Sequence, residues 1–214
     1  KILKNQLRPA EGERHFKTAC RLQECGIPVV DPVMGIIRRI NFYLTESIYV
    51  TREFPGVNLI EFLQQEECAP DFRCEIIKEV AKIWSRLINN KFLHQDPSLL
   101  NVLINRREDN YELALVDIEN VYSLRFFPQL LFRKNMVKFS ARVLSDFIRY
   151  ELEDLSLKER YLFYRVILDK LDKDIDFKKF WCRITSDTRK RLLHRDSVNV
   201  VDADRYLNEK RNRF

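Results

Sequence analysis

The sequence predicts an α+β fold in which a small β-containing lobe, residues 1–54, precedes a larger and mainly helical lobe, residues 55–214. Three observations carry this expectation. Ser47 to Phe54 alternates and is rich in β-formers, and Pro55-Gly56 closes it with a turn. Ile76, Ile77, Val80, Ile83, Trp84, Leu87 and Ile88 recur at helical spacing and define one wide apolar face. Val102 to Ile104 and Leu113 to Val116 are short apolar runs joined by a polar stretch, the pattern of a hairpin.

The elements follow in order. Ala10 to Cys25 reads as a helix with a narrow apolar face at Phe16, Ala19, Cys20 and Leu22; Gly26 stops it and Pro28 prevents continuation. Ile27 to Ile40 carries short β-like runs before the Ser47–Phe54 strand. Phe72 to Asn90 is the strongest helix, followed by a loop from Phe92 to Leu100 and then the hairpin. Beyond it the chain is helical. Phe139, Val143, Leu144, Phe147 and Ile148 share one face, and Ser156-Leu-Lys-Glu159 is a capping box that opens a helix running through Leu171. The tail after His194 is polar and charged.

Composition narrows the function. A chain of 214 residues buries roughly 70% of its unfolded surface and needs no disulfide or metal staple. The apolar share of 45% excludes a disordered chain, and no run approaches the ~18 apolar residues of a membrane span. No signal peptide is read. Lys1 stands where a starting Met would be, which leaves room for an upstream piece. Only four glycines occur, scattered, so these residues hold no Walker loop, Rossmann fingerprint or Gly-rich kinase loop. The five cysteines form no CxxC pair and read as reduced thiols of a cytoplasmic protein, packed as small hydrophobes. The formal net charge of +6 favours an anionic partner. The basic residues Arg125, Arg133, Lys134, Lys138, Arg142 and Arg149 read as a solvated helix face or as a surface for anionic lipid headgroups and phosphates. The aromatics lie along helix faces with no compact Arg/Lys–aromatic patch, which sets nucleic-acid binding aside.

The chemistry concentrates in His94-Gln-Asp-Pro-Ser-Leu-Leu-Asn101 and Leu115-Val-Asp117. Phosphoryl transfer from a nucleotide needs a carboxylate to take the acceptor's proton and oxygen ligands for Mg2+. Asp96, in a loop after a long helix, is placed to be the base. Asn101 can turn its amide oxygen toward a metal and Asp117 can complete the site, since an antiparallel hairpin returns them to one end; the plainer alternatives are a turn or cap role for Asp96 and a helix or turn hydrogen bond for Asn101. Glu119 is a nearby rival for the metal. His94 is expected to hold the loop by hydrogen bonds, and His15 and His194 to be surface residues.

These motifs resemble the lipopolysaccharide kinase (Kdo/WaaP) family within the protein-kinase-like superfamily. The Gly26-Ile-Pro turn after a helix, the Val50-Thr-Arg-Glu-Phe-Pro-Gly56 hinge segment, the His94–Asn101 catalytic loop and the block Lys134 to Leu171 carry the likeness. The resemblance implies a protein-kinase-like two-lobe fold with a truncated N-terminal lobe and a mainly helical C-terminal lobe, hinged near Glu53 to Val57. It implies an ATP- and Mg2+-dependent kinase phosphorylating a sugar hydroxyl, Kdo or heptose, of a lipopolysaccharide precursor. Such a protein would be cytoplasmic and peripheral at the inner membrane. It implies nucleotide contacts from a strand lysine (Lys1, or Lys4), from Glu13 on the first helix, and from Glu53 at the hinge; His15 also falls near the helix glutamate's place. Position 119 is Glu where kinases have the Gly of Asp-Phe-Gly, and Ser98 stands where protein-serine kinases carry Lys, which points to a small-molecule or sugar acceptor. The alternatives are a pseudokinase or binding module, and a phosphotransferase of the aminoglycoside or choline kinase type.

Overall fold

The structure is a computed structural model that describes residues 10–40, 43–66, 68–107, 110–153, 155–171 and 174–193. Helix α1 (Glu11–Glu24) carries acids in its first turn and Arg21 in its last, as the helix dipole favours. It ends at Gly26, whose φ of 66° is the left-handed conformation that a residue without Cβ adopts at least cost. Strands β1 (Pro32–Ile40) and β2 (Tyr43–Thr51) form an antiparallel hairpin under this helix. Close approach is possible because position 12 is Gly: a Cβ there would lie 2.5 Å from the Ile48 carbonyl oxygen. The Gly12 N–H donates to Ser47 Oγ at 2.7 Å, which ties helix to hairpin. The expected runs after Ile27 thus resolve into one nine-residue strand from Pro32, and the Ser47–Phe54 strand begins at Tyr43 and ends at Thr51.

The segment Arg52–Gly56 leads into β3 (Val57–Asn58) and the short helix α2 (Leu59–Gln65), capped by the Asn58 side chain on the Glu61 N–H. Helix α3 (Pro70–Asn89) begins with Pro in its first turn, where the missing N–H costs nothing, and buries Ile76, Val80, Ile83, Trp84, Leu87 and Ile88. Strands β5 (Val102–Arg107) and β6 (Asn110–Leu115) pair antiparallel, with Val102 opposite Leu115 and β3 on the outer edge of β5. The expected hairpin is therefore present, in register. The Phe92–Leu100 loop is not all loop. Phe92–His94 is strand β4, paired with β7 (Val121–Ser123), and Leu99–Asn101 is a 3₁₀ turn.

Helices α4 (Gln129–Arg149), α5 (Leu157–Lys170) and α6 (Phe177–Leu193) complete the fold. The capping box at α5 forms as read: Ser156 Oγ accepts from the Glu159 N–H at 3.2 Å, and the Ser156 N–H donates to Glu159 at 2.7 Å. The core runs from Ala19 and Leu22 of α1 through Trp84 of α3 to Met136, Phe139 and Phe147 of α4 and Ile167 of α5. Trp84 and Phe139 rings pack at 4.6 Å. Leu144 turns from this face to a small cluster with Ala141 and Leu192. No described helix is long and apolar enough to cross a membrane. The described cysteines are free thiols; Cys20, Cys25, Cys68 and Cys74 are half-buried rather than fully packed inside, and Cys182 is exposed. The polar, charged tail, with His194, and Lys1 and Lys4 lie outside the described residues.

Candidate active site

The site is built where the β5–β6 hairpin meets the loop after β4. The Val116 N–H donates to the Asn101 carbonyl at 3.0 Å, which fixes the end of the hairpin against the 3₁₀ turn. Asn101 Nδ2 then reaches both the Asp96 carbonyl, at 3.0 Å, and Asp117 Oδ2, at 3.4 Å. Asp96, Asn101 and Asp117 are thus one connected group. Asp117 has φ 54° and ψ 41°, a conformation costly for a residue with a Cβ and one that clusters at functional sites. Asn120 supports it: its Nδ2 donates to Asp117 Oδ2 at 3.1 Å, and its carbonyl accepts from the Gln95 N–H at 2.7 Å.

Helix α4 holds the His94–Asn101 loop along one polar stripe. Asn135 Nδ2 donates to the His94 carbonyl at 2.8 Å. Lys138 donates to the Gln95 carbonyl and lies 3.3 Å from Asp96 Oδ1. Buried Asp146 accepts from Ser98 Oγ at 3.1 Å and has Arg142 Nε at 3.5 Å. Positions 135, 138, 142 and 146 fall on one helical face. The basic stretch read from the sequence is therefore divided: Lys138 and Arg142 face inward, Arg133 pairs with Asp187 at 3.5 Å, and Arg125 and Lys134 are exposed.

His94 is buried, and neither ring nitrogen has a hydrogen-bond partner. It stacks within 4° of parallel on Trp84. The expectation that its ring holds the loop by hydrogen bonds is corrected: its backbone carbonyl does so, and the ring packs. Burial pushes the imidazole down to about 4, against the opposing pull of Asp117 and Asp96 and with a smaller push from Lys138.

A cleft of about 220 Å³ opens beside Asp117, with Val30, Leu115 and Val116 as apolar walls and Tyr49, Thr51, His15 and Glu119 around them. His15 is thus a half-buried cleft residue rather than a surface one. Its ring meets Tyr49 edge-on at 6.1 Å, and Arg14 lies 3.0 Å from its Nε2. Burial, then Arg14, lowers its pKa, while Glu119 and Asp117 pull the other way. Glu13 points elsewhere, to Lys17 at 2.5 Å, and Glu53 is exposed in the segment after β2.

Among the described residues no group of three or more His, Cys, Asp or Glu gathers into a metal cage. The donor set is instead one carboxylate and one amide oxygen, and it fits Mg2+, which binds one or two protein oxygens and completes its shell with phosphate and water. Asp117 and Asn101 would hold it.

A cleft beside a helix-backed hairpin, lined by Asp117, which Asn101 links to the Asp96 backbone, is the arrangement of a kinase-like fold. The chain belongs to the lipopolysaccharide kinase (Kdo/WaaP) family, whose model matches residues 2–151. Among solved structures it is similar to one described as WaaP in complex with acyl carrier protein, with a TM-score of 0.67 and 16% identity over 85% of this chain and 75% of that one. No curated protein sequence matches the chain.

Proposed function

We propose that the chain is an ATP-dependent kinase that phosphorylates a sugar hydroxyl, Kdo or heptose, of the lipopolysaccharide inner core. The observation that carries this reading is the linked Asp96–Asn101–Asp117 group beside an apolar-walled cleft. Val30, Leu115 and Val116 offer the walls for a nucleotide base, and Glu53, exposed in the segment after β2, is the proposed hinge contact. Asp117 and Asn101 would hold Mg2+, whose chemistry there would be to neutralise charge on the transferring phosphates. Asp96 takes the proton of the acceptor hydroxyl as its oxygen bonds to the γ-phosphorus and the bond to ADP breaks. Lys1 remains the proposed lysine for the phosphates. A lipopolysaccharide precursor would bring the chain to the cytoplasmic face of the inner membrane, where exposed Arg125 and Lys134 meet anionic headgroups.

Two other readings have an observation each. A pseudokinase is favoured by Glu13, which pairs with Lys17 rather than facing the cleft. A carrier-protein partner, as named for the structural neighbour, is favoured by a cavity of about 100 Å³ among α3, α4, α5 and α6, lined by Ile76, Val80, Phe147 and Trp181. Its apolar lining suits an acyl chain and not a nucleotide. The deciding experiment is transfer of labelled γ-phosphate from MgATP to purified core-sugar acceptor. Labelled acceptor supports the kinase reading; ATP binding without transfer supports the pseudokinase.

A further inference from the structure

We propose that Lys138, on α4, is a positioning residue for phosphoryl transfer, which holds the Asp96 carboxylate toward the acceptor; this rests on the kinase reading above. Three observations carry it. Lys138 Nζ bridges two consecutive loop residues, the Gln95 carbonyl and Asp96 Oδ1, the latter at 3.3 Å. An ammonium with three donors can do both at once. The lysine belongs to the stripe that grips the loop at His94 and Ser98 as well, so its stem is fixed by the same helix that fixes the backbone under Asp96. And the cleft is lined by two carboxylates, Asp117 and Glu119, with the Asp96 backbone tied to Asp117 through the Asn101 amide, and a polyanionic nucleotide must come into it.

Position 98, two residues beyond the base, is a Ser committed to Asp146, so the loop itself brings no cation to Asp96 from there. Helix α4 supplies it from 42 residues further along the chain, 138 against 96. Lys138 faces the loop but its pair with Asp96 is still partly open to solvent, and such an ion pair contributes little to stability. The value of this one lies in orientation: Oδ1 is held by Lys138, which leaves Oδ2 to take the acceptor proton. The proton moves from the acceptor oxygen to Asp96, the new O–P bond forms, and the bond from the γ-phosphorus to the leaving ADP oxygen breaks. Lys138 exchanges no atom.

The test is steady-state transfer from MgATP to the core-sugar acceptor with wild type, Lys138→Met, Lys138→Arg, Asp96→Asn and the double variant Lys138→Met/Asp96→Asn, each checked for folding by its urea midpoint. Lys138→Met is expected to lower kcat roughly tenfold or more with KM for ATP within about twofold, and Lys138→Arg to restore part of it. In the Asp96→Asn background Lys138→Met is expected to cost less than about threefold, because the group it positions is gone. A lysine that only braces the loop through Gln95 would lose the same factor in both backgrounds, and that result overturns the proposal. Unchanged kcat in Lys138→Met overturns it alone; absence of turnover in the wild type overturns the kinase reading and the proposal with it.

Discussion

Acidification should weaken this fold chiefly through His94, whose pKa is the more strongly lowered of the two described histidines. His94 is 1% exposed and stacked on Trp84, with no partner for either ring nitrogen, so its charged form is disfavoured by burial. Its pKa falls from 6.5 to about 4. The unfolded chain therefore binds this proton more readily than the folded one. The stability tied to neutral His94 is present above the unfolded pKa and is lost as pH falls toward the folded one. At pH 5 nearly every unfolded imidazole is protonated, and only about a tenth of the folded ones. The loss between pH 7 and pH 5 is then about 2 kcal/mol, rising to about 3 below pH 4. The assay is urea unfolding at pH 7, 6 and 5 for wild type, His94→Gln and His94→Phe. Phe keeps the stack on Trp84, and neither variant can take the proton. Both are expected to lose about 2 kcal/mol less than wild type over this range. Equal acid losses in wild type and both variants would refute the reasoning, since every other titrating group is common to the three.

The helix–hairpin contact gives a prediction of unusual sign. Gly to Ala inside a helix ordinarily gains roughly 1 kcal/mol. Gly12→Ala is expected to lose about 1–3 kcal/mol by urea unfolding, because its Cβ would press on the Ile48 carbonyl; a gain would show that the approach is looser than it stands. For the metal, Asp117→Ala is expected to abolish the Mg2+ dependence of ATP binding measured by calorimetry, while Glu119→Ala keeps it. The reverse pattern would move the ligand by two residues.

Local signals in the sequence led to real elements. The β5–β6 hairpin was legible because both strands and their polar turn lie within 14 residues, 102 to 115, and the α5 capping box because its four residues are consecutive in one turn. The convergence of Asn101 and Asp117 followed from the hairpin. What escaped was long-range or short in extent. Strands β4 and β7 have three residues each, too few for alternation, and find each other only in the fold. The stripe at Asn135, Lys138, Arg142 and Asp146 reads as a polar helix face, and its meeting with His94–Ser98 is set by packing. Asn120 had a weak signal, an amide one turn beyond Asp117. Glu13 and His15 are two residues apart on a helix, about 200° around it, so a small uncertainty in register exchanges the surface for the cleft.

The central claim is that Asp96 is the base of phosphoryl transfer. The direct measurement compares wild type and Asp96→Asn for the rate of label transfer from MgATP to the core-sugar acceptor, with MgATP affinity measured in parallel. The expected result is a rate lower by roughly 10² or more with affinity nearly unchanged. A variant that transfers phosphate at the wild-type rate would contradict the account.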